Sequence, residues 1–452
     1  MLKLFSHLLT VFLLLVLGGC GSGSDRTSTN AAATIRNDSL GWIGAWGAAP
    51  YGPYPAGPLG DIVPIALPGN IPLPPIPTLF SNNHALDQSF RMIVHPTIGG
   101  TSVRIRLSNL MGDRPVVFSP VRVAKAAAVA PAIIPGSDTA VLFNGKPEVT
   151  VAPGAEAVSD PVSFTFAPGD DLAISFHVVG ESGAITWHAV AFSPNYVSLP
   201  MAGDTTSDPS GATFTQPTLG WFFVSGVDVL RPDSAGTLVA IGDSITDGAF
   251  TLGNTRWTDW FAQMLQGQDL ALGILNEGIN SNTVTRQGTS KTSLNQGPPA
   301  VERFTRDVLQ RPGVSAVLIF EGTNDLSGGI PATEVFADIR TLVKRAQAAG
   351  LCVVVGTIMP REDTPAAPWD AANHEPERQR LNEMLRAQSD IDGIADFDKA
   401  MASPIDPMKP NPAFYFPDLL HPNSLGTYIM ATAVPIEALL PPPSGRCSKV
   451  SR

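Results

Sequence analysis

From Phe90 to Val229 apolar and polar residues alternate in short runs, among them Val103-Arg104-Ile105-Arg106-Leu107, Val149-Thr150-Val151, Val162-Ser163-Phe164-Thr165-Phe166 and Leu172-Ala173-Ile174-Ser175-Phe176. A period of two, broken by Gly, Pro and Asp, predicts half-buried antiparallel strands and therefore an all-β sandwich or jelly-roll-like domain. Beyond Gly236 the pattern changes. Continuous apolar runs at Leu238–Ile241, Ile274–Asn276, Ala316–Phe320, Val353–Ile358 and Gly393–Phe397 alternate with helical periodicity over Thr333–Ala348 and Pro376–Gln388. Strands that are apolar on both faces and separated by helices predict a parallel sheet covered on two sides, a doubly wound α/β domain. The stretch Arg231-Pro232-Asp233-Ser234-Ala235-Gly236 is the expected boundary, giving a β-rich accessory domain over 41–230 and an α/β domain over 237–442. Residues 47–79 carry ten prolines, a density that excludes regular helix and central strand and predicts an extended insertion that packs on a surface.

Composition sharpens this picture in two ways. The chain of 452 residues has 42 glycines and 42 prolines, about a fifth of the total against an average near 12%, so turns must be abundant. Lys and Arg number 29 against 40 Asp and Glu, a net charge of −11, which is the wrong sign for gripping a phosphate backbone and argues against a nucleic-acid partner.

The first twenty residues read as an address. Lys3 precedes the largely apolar run Leu8–Leu17, too short to span a bilayer that needs about 20 residues, and Gly18-Gly19-Cys20 follows. The expectation is an export signal over 1–20, a lipid attached at Cys20 and a flexible Gly/Ser/Thr/Asn tether over 21–40, so that the membrane is met through an anchor only. Leu17-Gly18-Gly19-Cys20 resembles the lipobox of bacterial lipoproteins, and Gly21 in place of an acidic residue implies an outer-membrane destination in the cell envelope. Only Cys352 and Cys447 then remain, too few for a disulfide framework. Cys352, inside LCVVVG, reads as a small buried hydrophobe. With neither CxxC nor HExxH in the chain, nothing at motif level suggests a metal site.

Ligands of doubly wound sheets sit beyond the carboxyl ends of the strands, so the residues after each strand are the candidates for chemistry. After the first comes Gly242-Asp243-Ser244, after the second Asn276-Glu277-Gly278, after the third Gly322-Thr323-Asn324-Asp325, and near the C-terminus Asp418-Leu419-Leu420-His421-Pro422. Each alone is no more than a turn. Other residues take plainer readings: Trp257 and Trp260 as packing, His188 as a satisfied strand histidine, Asp396 and Asp398 as loop-solvating groups, and Asp243 and Asp325 as turn-orienting ones. No GxSxG occurs, which counts against the α/β-hydrolase nucleophile elbow.

Taken in order, GDS, NxG, GxND and DxxHP resemble the SGNH hydrolases, the GDSL esterase/lipase superfamily, of the bacterial secreted type with a β-rich domain upstream. Over residues 237–440 the resemblance implies Ser244 as nucleophile, Asp418 and His421 as the other triad members, and Ser244, Gly278 and Asn324 as oxyanion-hole donors. It implies acyl-enzyme hydrolysis of a small-molecule or polysaccharide ester, with no metal and no organic cofactor. Two alternatives remain open at this point: an O-acyltransferase on envelope glycans using the same triad, and a glycan-binding lipoprotein without activity. Many relatives carry a glycine pair just after the NxG glycine where this chain has Asn280-Ser281, which puts the shape of that loop in question.

Overall fold

The computed structural model describes residues 41–57, 79–291, 297–440 and Cys447. The expected export signal, Cys20 and the expected tether lie outside the described residues, as does the stretch 58–78 of the proline-rich segment.

The principal strands of the upstream half are β1 (Trp42–Gly47), β2 (His84–Val94), β3 (Gly100–Ser108), β4 (Val116–Lys125), β5 (Leu172–Ala184), β6 (Thr186–His188) and β7 (Val224–Leu230). One antiparallel sheet runs β1-β7-β3, a second centres on β2-β5-β4, and short strands extend both. The alternation expected from the sequence decides which face is inside. Val103, Ile105 and Leu107 are fully buried between the sheets, while Arg104 and Arg106 point the other way and pair with Asp228 at 3.6 and 3.3 Å. Aromatic rings fill the interior, with Phe90 stacked on Phe176 at 5.1 Å and Phe223 edge-on to Phe118 at 5.3 Å.

The downstream half is a three-layer α/β/α domain. Its strands β8 (Thr237–Gly242), β9 (Gly273–Gly278), β10 (Val314–Phe320), β11 (Cys352–Gly356) and β12 (Gly393–Ala395) are all parallel and lie in the order β9-β8-β10-β11-β12. The helices that matter below are α1 (Ser244–Asp247), α2 (Trp257–Gln266), α3 (Ala300–Phe304), α4 (Thr323–Ser327), α5 (Ala332–Ala348), α6 (Ala371–Arg386) and α7 (Ser424–Thr432). On one face α2 packs on α7, and on the other α5 packs on α6. Because β8 lies between β9 and β10, the winding reverses at β8, and a crevice opens beyond its carboxyl end.

Two expectations need correction. Helix α6 starts at Ala371 and runs through Pro376, which the sequence pattern places at its beginning. The proline removes only a hydrogen bond to the first turn of the helix, and the buried face of Arg378, Leu381, Asn382 and Leu385 holds the rest. Cys352 is buried, as expected, but it is bridged to Cys447, 95 residues on, with Cα atoms 4.6 Å apart. Two isolated cysteines in a sequence give no sign of this, because pairing depends on where the C-terminal segment returns to the sheet.

The halves meet along β1 and β9. Gly44 N–H donates to Thr237 Oγ1 (2.9 Å), Thr97 Oγ1 donates to Ala45 O (2.9 Å), and Ile274 N–H donates to Thr97 Oγ1 (2.9 Å). The backbones cross so closely that a Cβ on Gly273 would fall 2.1 Å from the Gly44 carbonyl oxygen. The described residues accordingly cluster as one compact unit.

A cross-link closing so long a loop stabilises by constraining the unfolded chain, typically by about 2–4 kcal/mol. Cys447→Ser should therefore lower the calorimetric unfolding midpoint by several degrees, and reductant should do the same to the unaltered protein but not to the variant. Equal midpoints for both proteins would show that the bridge is absent.

Candidate active site

At the carboxyl edge of the sheet the register puts Gly242 opposite both Gly278 of β9 and Phe320 of β10, so three of the four sequence blocks leave the sheet at one level. Ser244 opens α1, and Asp243 caps that helix by accepting from Ile245 N–H at 2.9 Å. Gly242 has no room for a side chain, since a Cβ would meet Thr246 Oγ1 at 2.2 Å. The fourth block arrives from the other end of the chain. Leu419 takes a left-handed φ of +52°, and the turn it makes lets Asp418 Oδ1 accept from the N–H of His421 at 3.1 Å while Asp418 Oδ2 faces His421 Nδ1 at 2.6 Å. His421 Nε2 then stands 2.9 Å from Ser244 Oγ.

Proton positions follow from the partners. A carboxylate only accepts, so Nδ1 carries the hydrogen, Nε2 of the neutral ring is an acceptor, and the serine hydroxyl donates to it. Burial alone would raise the Asp418 pKa. The hydrogen bonds this carboxylate accepts from the His421 ring and from the backbone N–H groups of His421 and Leu420 outweigh burial and leave Asp418 below the usual carboxylate range, hence ionised at neutral pH. The ring of Phe250, itself in a left-handed conformation, stands edge-on to the imidazole at 5.1 Å and also meets Phe416 and Phe192.

The other candidates lie around the same crevice. As the first residue of a helix, Ser244 has a backbone N–H without an intrahelical acceptor. Asn324, in α4, donates one side-chain N–H to Asn282 O at 2.8 Å, and an amide has a second to give. Gly278 closes against α1 so tightly that a Cβ would lie 2.3 Å from Asp247 N, and its N–H is donated to Asn276 Oδ1 at 3.0 Å. An incoming oxyanion would have to share or displace that acceptor. The loop that follows departs from a glycine pair at a visible cost: Ser281 sits at φ +62°, where side chains are rare.

Below the crevice is a charged layer that no motif announces. Arg303 of α3, its side chain fully buried, uses all its N–H groups: Nε on Asn282 Oδ1 (3.0 Å), Nη1 on Glu277 O (2.6 Å) and Asp307 (3.2 Å), and Nη2 on Gly242 O (3.0 Å) and Glu321 (3.2 Å). Arg311 faces Glu277 at 2.9 Å. Burial and the neighbouring charge of Asp243 push Glu321 well above the usual carboxylate range, so it takes up a proton more readily than the others. The sequence offered one hint, carboxylates at the ends of buried strands, but nothing that selects Arg303 as their partner. Among the described residues no group of three or more His, Cys, Asp or Glu could hold a metal ion.

Residues 240–428 match the family model described as the GDSL-like lipase/acylhydrolase family, a span that includes Ser244, Gly278, Asn324, Asp418 and His421. No curated protein matches the chain. Solved structures similar to it include a GDSL-like lipase from Bacteroides thetaiotaomicron (19% identity, 45% of this chain and 88% of that one, TM-score 0.33). Others are a lipolytic G-D-S-L family protein from Veillonella parvula (19%, 44% and 94%, 0.33) and an acetyl xylan esterase from Geobacillus stearothermophilus (21%, 46% and 96%, 0.33).

The helix that carries Ser244 is also gripped from the upstream half. His188 of β6 donates through Nδ1 to Ala49 O at 2.8 Å, and its Nε2 lies 3.0 Å from Asp247 Oδ1 at the far end of α1, both side chains buried. With acceptors on both sides, the ring fits best as an imidazolium facing a carboxylate. The satisfied strand histidine expected from the sequence is thus satisfied across the two halves. Arg256 adds a second tie, donating to Asp247 O at 2.8 Å and to Ala191 O.

Burial would lower the His188 pKa, but the charge of Asp247 and the two hydrogen bonds raise it overall. A raised folded-state pKa means that the stability from the pair is complete below the unfolded value of about 6.5 and is lost as pH rises through the folded value. In urea titrations the stability gap between the unaltered protein and Asp247→Asn should therefore be wider at pH 6 than at pH 9. A gap independent of pH would mean that His188 is neutral throughout.

Proposed function

We propose, from the premise that residues 240–428 form a GDSL-like lipase/acylhydrolase domain, that this protein is a serine ester hydrolase working through an acyl-enzyme at Ser244. The observation that carries the reading is the unbroken relay Ser244 Oγ, His421 Nε2, His421 Nδ1, Asp418 Oδ2, with links of 2.9 and 2.6 Å. In it Ser244 Oγ attacks the ester carbonyl while its proton passes to His421 Nε2, and Asp418 stabilises the imidazolium that forms. The carbonyl oxygen becomes an oxyanion, met by the Ser244 N–H, the free N–H of Asn324 and the Gly278 N–H turning away from Asn276. The imidazolium then gives its proton to the departing alcohol. Water, activated by the same histidine, hydrolyses the acyl-enzyme. Phe250 beside the imidazole, with Phe416 edge-on to Phe250, favours esters with an apolar portion.

The upstream sequence completes the proposal. A Cys352–Cys447 bridge suits an oxidising compartment and so supports reading residues 1–20 as an export signal ending in a lipid-bearing cysteine. Cells fed labelled palmitate should label the unaltered protein and leave Cys20→Ser unlabelled; equal labelling would remove the anchor from this account.

Against p-nitrophenyl esters, Ser244→Ala and His421→Ala should each lose roughly 10⁴-fold or more in kcat, and the double variant should be little worse, because the two act as one unit. Asn324→Ala should lower kcat by about 10²- to 10³-fold with KM nearly unchanged, since its amide meets charge that exists only in the transition state. Substantial turnover by Ser244→Ala would overturn the reading. An effect of Asn324→Ala confined to KM would make that residue a ground-state binder.

A further inference from the structure

The loop from Gly278 to Asn282 bears on two donors of the proposed oxyanion hole. Its first residue supplies the Gly278 N–H, and its last supplies the carbonyl that orients Asn324 at 2.8 Å. The ends are fixed by the protein's own framework. Ile279 N–H donates to Gly242 O at 2.9 Å, and Asn282 is held by Arg303 at 3.0 Å and by Pro298 O at 3.0 Å. The middle is the weak place, for there Ser281 holds a left-handed φ that a glycine would adopt freely.

A turn bond from Asn282 N–H to Ile279 O at 3.0 Å closes that middle locally, and a further restraint comes from 229 residues upstream. Tyr51 Oη donates to Asn280 O at 3.0 Å, and the Tyr51 side chain is almost completely buried. Burial and the nearby charge of Asp247 push the phenol pKa up, so the hydroxyl remains a donor at every working pH. Tyr51 is itself held, its N–H donating to Trp187 O at 2.9 Å. The two residues before it are engaged with the same machinery: Ala49 O receives His188, which grips the Ser244 helix, and Pro50 O receives Arg306 at 3.2 Å, beside Asp307 and Arg303.

We propose that Tyr51 is a positioning residue of the oxyanion hole, its hydroxyl holding the Asn280-Ser281 peptide so that Gly278 and Asn324 present their N–H groups to the same point. This rests on the hydrolase reading above. The upstream half is then part of the catalytic apparatus, and the tyrosine does for this loop what a glycine pair would do by lacking strain.

Tyr51→Phe removes one hydroxyl and keeps the packed ring. With the full chain and a p-nitrophenyl ester, kcat should fall about tenfold, the equivalent of roughly 1.4 kcal/mol, with KM within twofold and the unfolding midpoint within a few degrees. In a double-mutant cycle the same change in an Asn324→Ala background should cost less than threefold, because the donor it helps to aim is already gone. An unaltered kcat in Tyr51→Phe, or full multiplicative loss in the double variant, overturns the proposal. A rise in KM that tracks a lowered midpoint also overturns it, making Tyr51 a packing residue. Where Ser244→Ala is inactive these results bear on Tyr51 alone; if Ser244→Ala remains active, the hydrolase reading and this proposal fall together.

Discussion

The buried guanidinium of Arg303 is the joint on which the carboxyl edge of the sheet depends. Carbonyl groups at the ends of β8 and β9, the Glu321 carboxylate just beyond β10 and the side chain of Asn282 all converge on it. Buried acceptors of this kind cost more to leave unmet than they contribute when met, and Gly242 O among them has a second donor in the N–H of Ile279. A buried charge cluster of this kind is a weak source of net stability, because desolvation consumes most of the attraction. Its effect is geometric. It brings the ends of three strands to one level, and through Asn282 it sets the carbonyl that orients Asn324. Five carboxylates, Asp243, Glu277, Asp307, Glu321 and Asp325, share this layer with Arg303, Arg306, Arg311 and Arg361, and burial first, then that crowding, raises the pKa of Glu321.

Above that layer the relay is assembled from chain segments that local sequence cannot bring together. Ser244 and His421 lie 177 positions apart and meet only because α1 starts at the winding reversal of the sheet while the Asp418–His421 turn returns to it ahead of α7. The upstream sandwich contributes no member of the relay. It contributes restraint, through His188 on α1, through Tyr51 on the loop after β9, and through Phe192 behind Phe250. The described part of the proline-rich segment serves this purpose well. Ala48, Ala49 and Tyr51 are buried, and a stretch with few conformations to lose can run between two surfaces without forming a strand of its own beyond Gly52–Pro53.

Much of the architecture was legible because period-two and fully apolar runs are local signals. The five parallel strands lie within a few residues of their expected limits, and Val149–Val151 and Val162–Phe166 lie where the alternation put them. The positions of Ser244, Gly278, Asn324, Asp418 and His421 were legible for a different reason, the order of four short blocks relative to those strands. What escaped notice is what depends on long-range geometry. Arg303 sits in Ala300-Val301-Glu302-Arg303-Phe304, a segment like any amphipathic turn, and nothing in it says that the guanidinium points inward. Tyr51 lies in a segment whose composition suggests only an extended path. Cys352 and Cys447 carry no spacing that marks a pair. The substitution of Asn280-Ser281 for a glycine pair was visible, but its compensation was not, since the compensating residue belongs to another part of the fold.

The strap formed by β1 and the residues up to Tyr51 changes what counts as a unit of inheritance in this protein. The polar turn Arg231–Gly236 looks like a clean place to cut and join, and each half has a hydrophobic core of its own. Yet a chimera spliced there, with a foreign sandwich placed before the α/β domain, would leave Asp247 without its imidazole and the Asn280 carbonyl without its phenol. The piece that must travel together is discontinuous: residues 42–51, Thr97, residues 187–192 and the α/β domain, with the outer strands and loops of the sandwich free to diverge around them. Variation accumulated by swapping whole domains would be blocked at this junction, whereas variation in the outer strands and loops of the sandwich would pass.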